Sequence, residues 1–451
     1  MSTRLPVGPY RVISGPAGDI PWYMVSFDRN GRCTAPRTAQ ELVERAASGG
    51  YTDVVVFSHG WNNNWAQATA RYESFVNGYM DILRERPPAG QPLRPLLVGI
   101  FWPSIALITE SEEAPDIAGG GAGRDEDVAA ERAAVDELGQ TLPAERAQEF
   151  YSLVQRDELD PDAARELAAM FLPLLGSELT EAGETEPPAP DDLLAAWRGH
   201  SAATPVTDLD ELGFYAEQDP QAGLAAAGDA PETAGLKGLD PRDLVRAFTV
   251  WQMKDRAGVV GSRGVAALLT GLLEQPSPAV HCVGHSYGAK VILSAICAPR
   301  SGPASVRSVL LLQPAVSAQC FAPDAGGTGR PGGFRAALER VQLPILSTFS
   351  AHDAALTRFY QWAMRRRQDA GEPEIAAAGP PRYGALGGFG PGGLGGAADI
   401  IEVRDPGTPY PLGPGPLRVH GVRATRTISS HGDVSNPSTW WMMQQLLHQP
   451  R

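Results

Sequence analysis

Cysteine is scarce: four in 451 residues, at Cys33, Cys282, Cys297 and Cys320. No two stand in C-x-x-C spacing, which excludes a disulfide framework and the common zinc patterns. Cys282 and Cys297 lie in apolar surroundings and are expected as buried thiols. No apolar run approaches the ~18 residues of a membrane-spanning helix, so none is expected. The opening segment, Met1 to Pro9, lacks the apolar stretch of a signal peptide, which predicts a cytoplasmic location. Walker motifs, dinucleotide fingerprints and metal-ligand clusters are also missing, so neither cofactor nor metal is expected. Aromatic residues make up only 7% and charged residues 20%, against 43% apolar. That apolar share supports a large core and is too high for a disordered chain.

Charge is present but badly divided. The chain carries a net −14, yet Thr109–Asp243 alone holds 32 acidic and 8 basic residues, leaving +10 to the remainder. Such an asymmetry marks a domain boundary. It divides the chain into 1–104, an acidic stretch 105–244, and 245–451, with the two flanks together forming one α/β domain. The acidic stretch is unsuited to nucleic acid, and the excess bases of the flanks are arginines without interleaved aromatics, so no nucleic-acid partner is expected. Arg365–Arg367 is expected as a solvated helix end. The 50 glycines and 40 prolines predict many loops without a collagen-like period.

The flanks alternate between strand and helix patterns. Tyr10–Ser14 and Pro21–Phe27 suggest an N-terminal strand pair. Ala39–Ala47 has helical spacing and leads to Asp53–Ser58, a β-branched run suited to a strand buried on both faces. Trp65–Arg84 follows as a helix and Leu96–Trp102 as a second buried strand. After the acidic stretch, helices are expected at Asp240–Met253 and Val259–Leu273, a strand at Ala279–Val283, and a helix at Ser286–Cys297. Strands at Val306–Leu312, Leu343–Phe349, Ile400–Val403 and Leu417–Thr427 come next, then a terminal helix at Ser438–Leu447. The glycine-dominated Gly379–Gly396 admits two readings, a flexible linker or an apolar wall near a pocket. Within the acidic stretch, Asp127–Leu138, Ala144–Gln155 and Asp162–Leu175 have helical spacing, and Glu184–Asp191 reads as a loop. The alternation predicts a mainly parallel sheet covered by helices on both faces.

Chemistry concentrates in two places. Gly284-His-Ser-Tyr-Gly288 matches G-x-S-x-G, follows an apolar run and opens a helical one, as a nucleophile elbow requires. Phe57-Ser-His-Gly-Trp61 ends an early buried strand, where a His-Gly turn can aim a backbone N–H at a developing oxyanion. The expected donors are the backbone N–H groups of Trp61 and Tyr287. His59 is expected to stabilise its turn.

With these motifs the chain resembles the α/β-hydrolase superfamily, on its serine esterase and lipase side, over residues 1–104 and about 245–451. The resemblance implies an α/β-hydrolase fold: a mainly parallel central sheet flanked by helices, here with an acidic helical insertion. It implies the order serine, acid, histidine. Asp353, in Ser350-Ala-His-Asp353 after a late strand, is the expected acid, and His431, in Ser429-Ser-His-Gly-Asp433 before the last helix, the expected base. Asp324, after an earlier strand, is the rival acid. Asp433 is expected to form a local turn, His420 to lie in a strand, and His285 and His352 to shape turns. The implied activity is metal-free hydrolysis of a small-molecule or lipid-like carboxylic ester through an acyl-enzyme. The same residues would serve a thioesterase or a peptidase, and a non-catalytic hydrolase-fold interaction module is the alternative of another class. The insertion follows the strand ending at Trp102, earlier than the caps of this family usually do. It is open to reading as a solvated decoration, a lid, or a docking surface for a basic partner.

Overall fold

The computed structural model describes residues 7–15, 18–61, 63–87, 93–104, 139, 142–156, 158–174, 189–192, 194, 241–300, 302, 305–360, 380–413 and 415–450. Nine strands form one sheet: β1 Arg11–Gly15, β2 Gly18–Ser26, β3 Asp53–Ser58, β4 Pro95–Phe101, β5 Ala279–His285, β6 Ser308–Leu312, β7 Ile345–Phe349, β8 Ala398–Glu402 and β9 Val419–Arg423. Their order is β1-β2-β4-β3-β5-β6-β7-β9-β8. Only β1 and β2 pair antiparallel; every other pairing is parallel.

Alternation along each strand feeds two apolar layers. Val54 and Val56 of β3 face one cluster, whereas Val55 and Phe57 face the other. The first layer is closed by α1 (Pro36–Ala47), by α5 (Pro241–Val259) continuing through a π-helical turn into α6 (Ala266–Leu273), and by α7 (Tyr287–Cys297). The second is closed by α2 (Trp65–Glu85) and the terminal α8 (Pro437–Leu447). Burial on both faces explains why the central strands are continuous apolar runs. The two expected helices at Asp240–Met253 and Val259–Leu273 are thus one continuous helical run, joined through the π turn Val260–Val265.

Parts of the acidic stretch belong to the first layer. Helices α3 (Ala144–Val154) and α4 (Pro161–Phe171) bury Phe150, Leu153, Leu167 and Phe171 in the same cluster as Phe248 and Trp251 of α5. The rings of Phe171 and Phe248 stack at 4.6 Å. The expected helix at Asp127–Leu138, Arg365–Arg367 and most of the loop at Glu184–Asp191 lie outside the described residues. Among the described residues, no helix is long and apolar enough to cross a membrane.

The topology fixes where a site can form. After β3 the chain crosses to α2 on one face, and after the neighbouring β5 it crosses to α7 on the other. Such a divergence opens a crevice at the carboxyl ends of the two strands. Ser58 to Trp61 and Ser286 stand at those ends.

Candidate active site

Ser286 leaves β5 with φ 55° and ψ −125°, a conformation of positive φ that side-chain-bearing residues avoid. Strain of this kind costs about 1–3 kcal/mol and persists only where the surroundings enforce it. Enforcement comes from close packing that glycine alone permits. A Cβ at Gly284 would lie 2.6 Å from Ala289 Cα, one at Gly288 2.1 Å from the Ser58 carbonyl oxygen, and one at Gly60 2.6 Å from Ser286 Cβ. The strand–turn–helix is thereby pressed against the end of β3. Ser286 N–H donates to the Leu312 carbonyl at 3.1 Å, tying the turn to β6.

Two later loops meet the serine. His431 Nε2 lies 2.8 Å from Ser286 Oγ, and Nδ1 lies 2.8 Å from Asp353 Oδ2. An ionised carboxylate only accepts, so Nδ1 carries the proton and Nε2 accepts from the serine hydroxyl. All three side chains are buried, Asp353 completely. Asp353 also receives Leu356 N–H on Oδ1 at 3.0 Å and Gln313 Nε2–H on Oδ2 at 2.9 Å.

Asp324, the rival acid, is exposed and accepts from Gly329 N–H instead. Asp433 closes the His431 loop by accepting from Ser429 N–H and Oγ–H. His420 lies in β9 with Nε2 on the Pro411 carbonyl, and His352 is exposed.

The remaining two histidines of the site hold its shape. His59 Nδ1–H donates to the Gly60 carbonyl at 2.8 Å, its Nε2 accepts from Trp102 N–H at 3.3 Å, and its ring stacks on Trp102. Burial pushes its pKa down to about 4. His285 Nε2–H donates to the His431 carbonyl at 3.0 Å, linking the strand-to-helix turn to the loop of His431. Burial, with His431 close by, holds it well below the ordinary histidine range. Both rings therefore stay neutral beside His431.

Trp61 and Tyr287 flank Ser286. Trp61 follows Gly60, which abuts the serine, and Tyr287 is the first residue of α7; their rings lie 6.3 Å apart. The amino end of α7 carries the positive pole of the helix dipole toward the serine. Among the three asparagines after Trp61, Asn64 caps α2 in a reciprocal pair with Gln67, and Asn63 Nδ2–H holds the turn through the Trp61 and Gly60 carbonyls.

Gly379–Gly396 resolves against the linker. Its described part, 380–396, buries Tyr383, Leu386 and Leu394, and the Gly387 carbonyl accepts from Ser350 N–H and Gln313 Nε2–H. It is a wall packed against the strand ends. Sequence reasoning missed Gln313 and the link made by His285. Gln313 carries no motif; it is the residue that follows β6 as Ser286 follows β5. Among the described residues, no group of three or more His, Cys, Asp or Glu side chains is placed to hold a metal ion.

No family model, curated protein or solved structure matches the chain.

Proposed function

We propose that the protein is a serine hydrolase of the α/β-hydrolase fold that cleaves carboxylic esters through an acyl-enzyme. The observation that carries the reading is the Ser286–His431–Asp353 chain of two 2.8 Å hydrogen bonds, with its serine on a strained strand-to-helix turn. A serine hydroxyl is a poor nucleophile near neutral pH until a base takes its proton. His431 Nε2 takes it as Oγ attacks the ester carbonyl carbon. Asp353 holds the ring in that tautomer and supports the imidazolium. The carbonyl oxygen, now negative, is stabilised by the backbone N–H groups of Trp61 and Tyr287. His431 then returns the proton to the leaving alcohol oxygen as the C–O bond breaks. Water, deprotonated by His431, attacks the acyl carbon, and His431 returns that proton to Ser286 Oγ as the C–Oγ bond breaks and the carboxylic acid departs.

The preference for an ester over an amide comes from the resemblance to esterases and lipases, since the same three residues serve both chemistries. The test is a panel of activated esters of increasing acyl length, with a thioester and a chromogenic amide, assayed on the wild type and Ser286→Ala. Ester turnover that vanishes in the variant is the expected result. Faster turnover of the thioester or amide would move the substrate class, and an inert wild type would overturn the reading.

A further inference from the structure

Gln313 shares with Ser286 a feature that no other non-glycine residue among the described ones has. Both have positive φ, 42° at Gln313 and 55° at Ser286. They are also neighbours. The β5–β6 register ends at His285 opposite Leu312, so the next residue on each strand is Ser286 and Gln313. Glycine or asparagine would occupy such a backbone with less strain, so the glutamine side chain needs a reason.

Its contacts supply one. Nε2 lies 2.9 Å from Asp353 Oδ2 and 3.2 Å from the Gly387 carbonyl oxygen. Both partners only accept, so the amide cannot be turned over: its NH₂ must face them. Among the described residues, the buried Oε1 meets no hydrogen-bond partner, while both donors stay on this pair. Gln313 N–H is itself anchored on Thr348 Oγ1 at 2.9 Å. Asp353 Oδ2 thus receives His431 Nδ1–H and Gln313 Nε2–H together.

We propose that Gln313 is a positioning residue for the Ser286–His431–Asp353 chain, fixing the Asp353 carboxylate in the orientation that receives His431. The proposal deepens the serine-hydrolase reading and rests on it. A neutral donor suits the role. It orders the carboxylate without neutralising it, so the full charge remains available to the imidazolium. An arginine or lysine would instead compete with His431 for that charge.

Two variants separate side chain from backbone. Gln313→Asn tolerates the positive φ but is one methylene too short to reach Asp353. Gln313→Glu keeps the reach, and beside the Asp353 carboxylate and the Gly387 carbonyl its acid stays protonated and still donates. The charged and titratable groups already around His431 are Asp353, His285, Asp433 of its own loop, and Arg71 of α2 beside Gly432; both variants leave them in place. Gln313→Asn should lower kcat about tenfold or more, with KM within twofold and the thermal melt unchanged. Gln313→Glu should keep kcat within about threefold of wild type, because its protonated carboxyl replaces the lost donor. A packing role would leave the downfield His431 Nδ1–H resonance of Gln313→Asn where it stands in the wild type. That resonance reports the orientation of the carboxylate without any turnover. An inert wild type would therefore remove the hydrolase reading and leave the role of Gln313 to be decided by that resonance. Wild-type kcat in Gln313→Asn, or an unmoved His431 Nδ1–H resonance in that variant, would overturn the proposal.

Discussion

The sheet carries two buried Ser–His–Asp chains, one at each end of its central strands. At the carboxyl ends stand Ser286, His431 and Asp353. Toward the amino ends, His281 Nδ1 lies 2.7 Å from Ser308 Oγ and Nε2 lies 3.0 Å from Asp53 Oδ1. With Asp53 ionised, the proton order is the same, on a ring turned end for end. Distances and burial therefore do not distinguish the two. Backbone and setting do. Ser308 sits in regular β6, in register with His281 on β5, whereas Ser286 stands on a strained turn that opens an 11-residue helix. Met443, Leu446 and Leu447 of α8 close over His281 and Ser308, whereas Ser286 faces the turn Gly60–Trp61. A hydrogen-bonded serine becomes a nucleophile only where a carbonyl can reach it and its oxyanion can be stabilised. On this reading the carboxyl-end chain is the catalytic one, and the amino-end chain is a polar clasp between β3, β5 and β6.

Deleting the serines separates the two ends most sharply. Ser286→Ala should lower ester turnover by a factor on the order of 10⁵–10⁶ with the melt unchanged. Ser308→Ala should leave turnover alone and cost roughly 1 kcal/mol of stability by urea unfolding. The acids should divide next. Asp353→Asn should cost about 10⁴ in kcat, because the amide favours the wrong imidazole tautomer. Asp53→Asn should keep kcat and lose roughly 1–3 kcal/mol of stability, and exposed Asp324→Asn should change neither. A catalytic loss on Asp53→Asn would erase the distinction.

The close approach beneath the elbow comes third. Gly60→Ala drives a methyl to 2.6 Å from Ser286 Cβ. It should reduce kcat roughly 10- to 100-fold, matching about 1–3 kcal/mol of overpacking. Equal kcat in Gly60→Ala would mean that the serine does not depend on that contact. The pH response acts on stability and leaves the chemistry of the two ends alone. Because the folded-state pKa of His59 is lowered from 6.5 to about 4, the unfolded chain binds the proton first. Stability is complete above pH 6.5 and falls as pH drops toward 4, by about 3 kcal/mol for a fully buried ring. His285 acts in the same direction. Urea midpoints between pH 7 and 4.5 measure it, and a flat profile would show that these rings can charge in the folded state.

How far the sequence reveals this depends on which force acts locally. G-x-S-x-G and the His-Gly turn are legible because close approach dictates glycine: Gly60 and Gly288 where the turn meets the end of β3, and Gly284 where the strand folds back on its own helix. That Asp353 and His431 meet Ser286 is anticipated through the resemblance, which implies their order and their places after β7 and before α8. Gln313 is not, because its role arises from register with Ser286 across two strands far apart in sequence. Packing of 380–396 is hidden for a related reason. Its glycines permit a linker, and only long-range contacts, such as the Gly387 carbonyl to Ser350 and Gln313, make it a wall. The anchoring of α3 and α4 on Phe248 and Trp251 is masked by acidic composition, although their buried apolar side chains decide where those helices sit.

The most direct test of the difference between the two ends is covalent. A fluorophosphonate probe reacts with a serine whose hydroxyl is activated by a base and whose oxyanion is stabilised. Treated with the probe and digested, the protein should carry one adduct, on the peptide containing Ser286. Labelling should be lost in Ser286→Ala, slowed at least about a hundredfold in His431→Ala, and unchanged in Ser308→Ala. An unlabelled wild type, or an adduct on Ser308 or any other serine, would contradict the assignment of the carboxyl-end chain as the catalytic one.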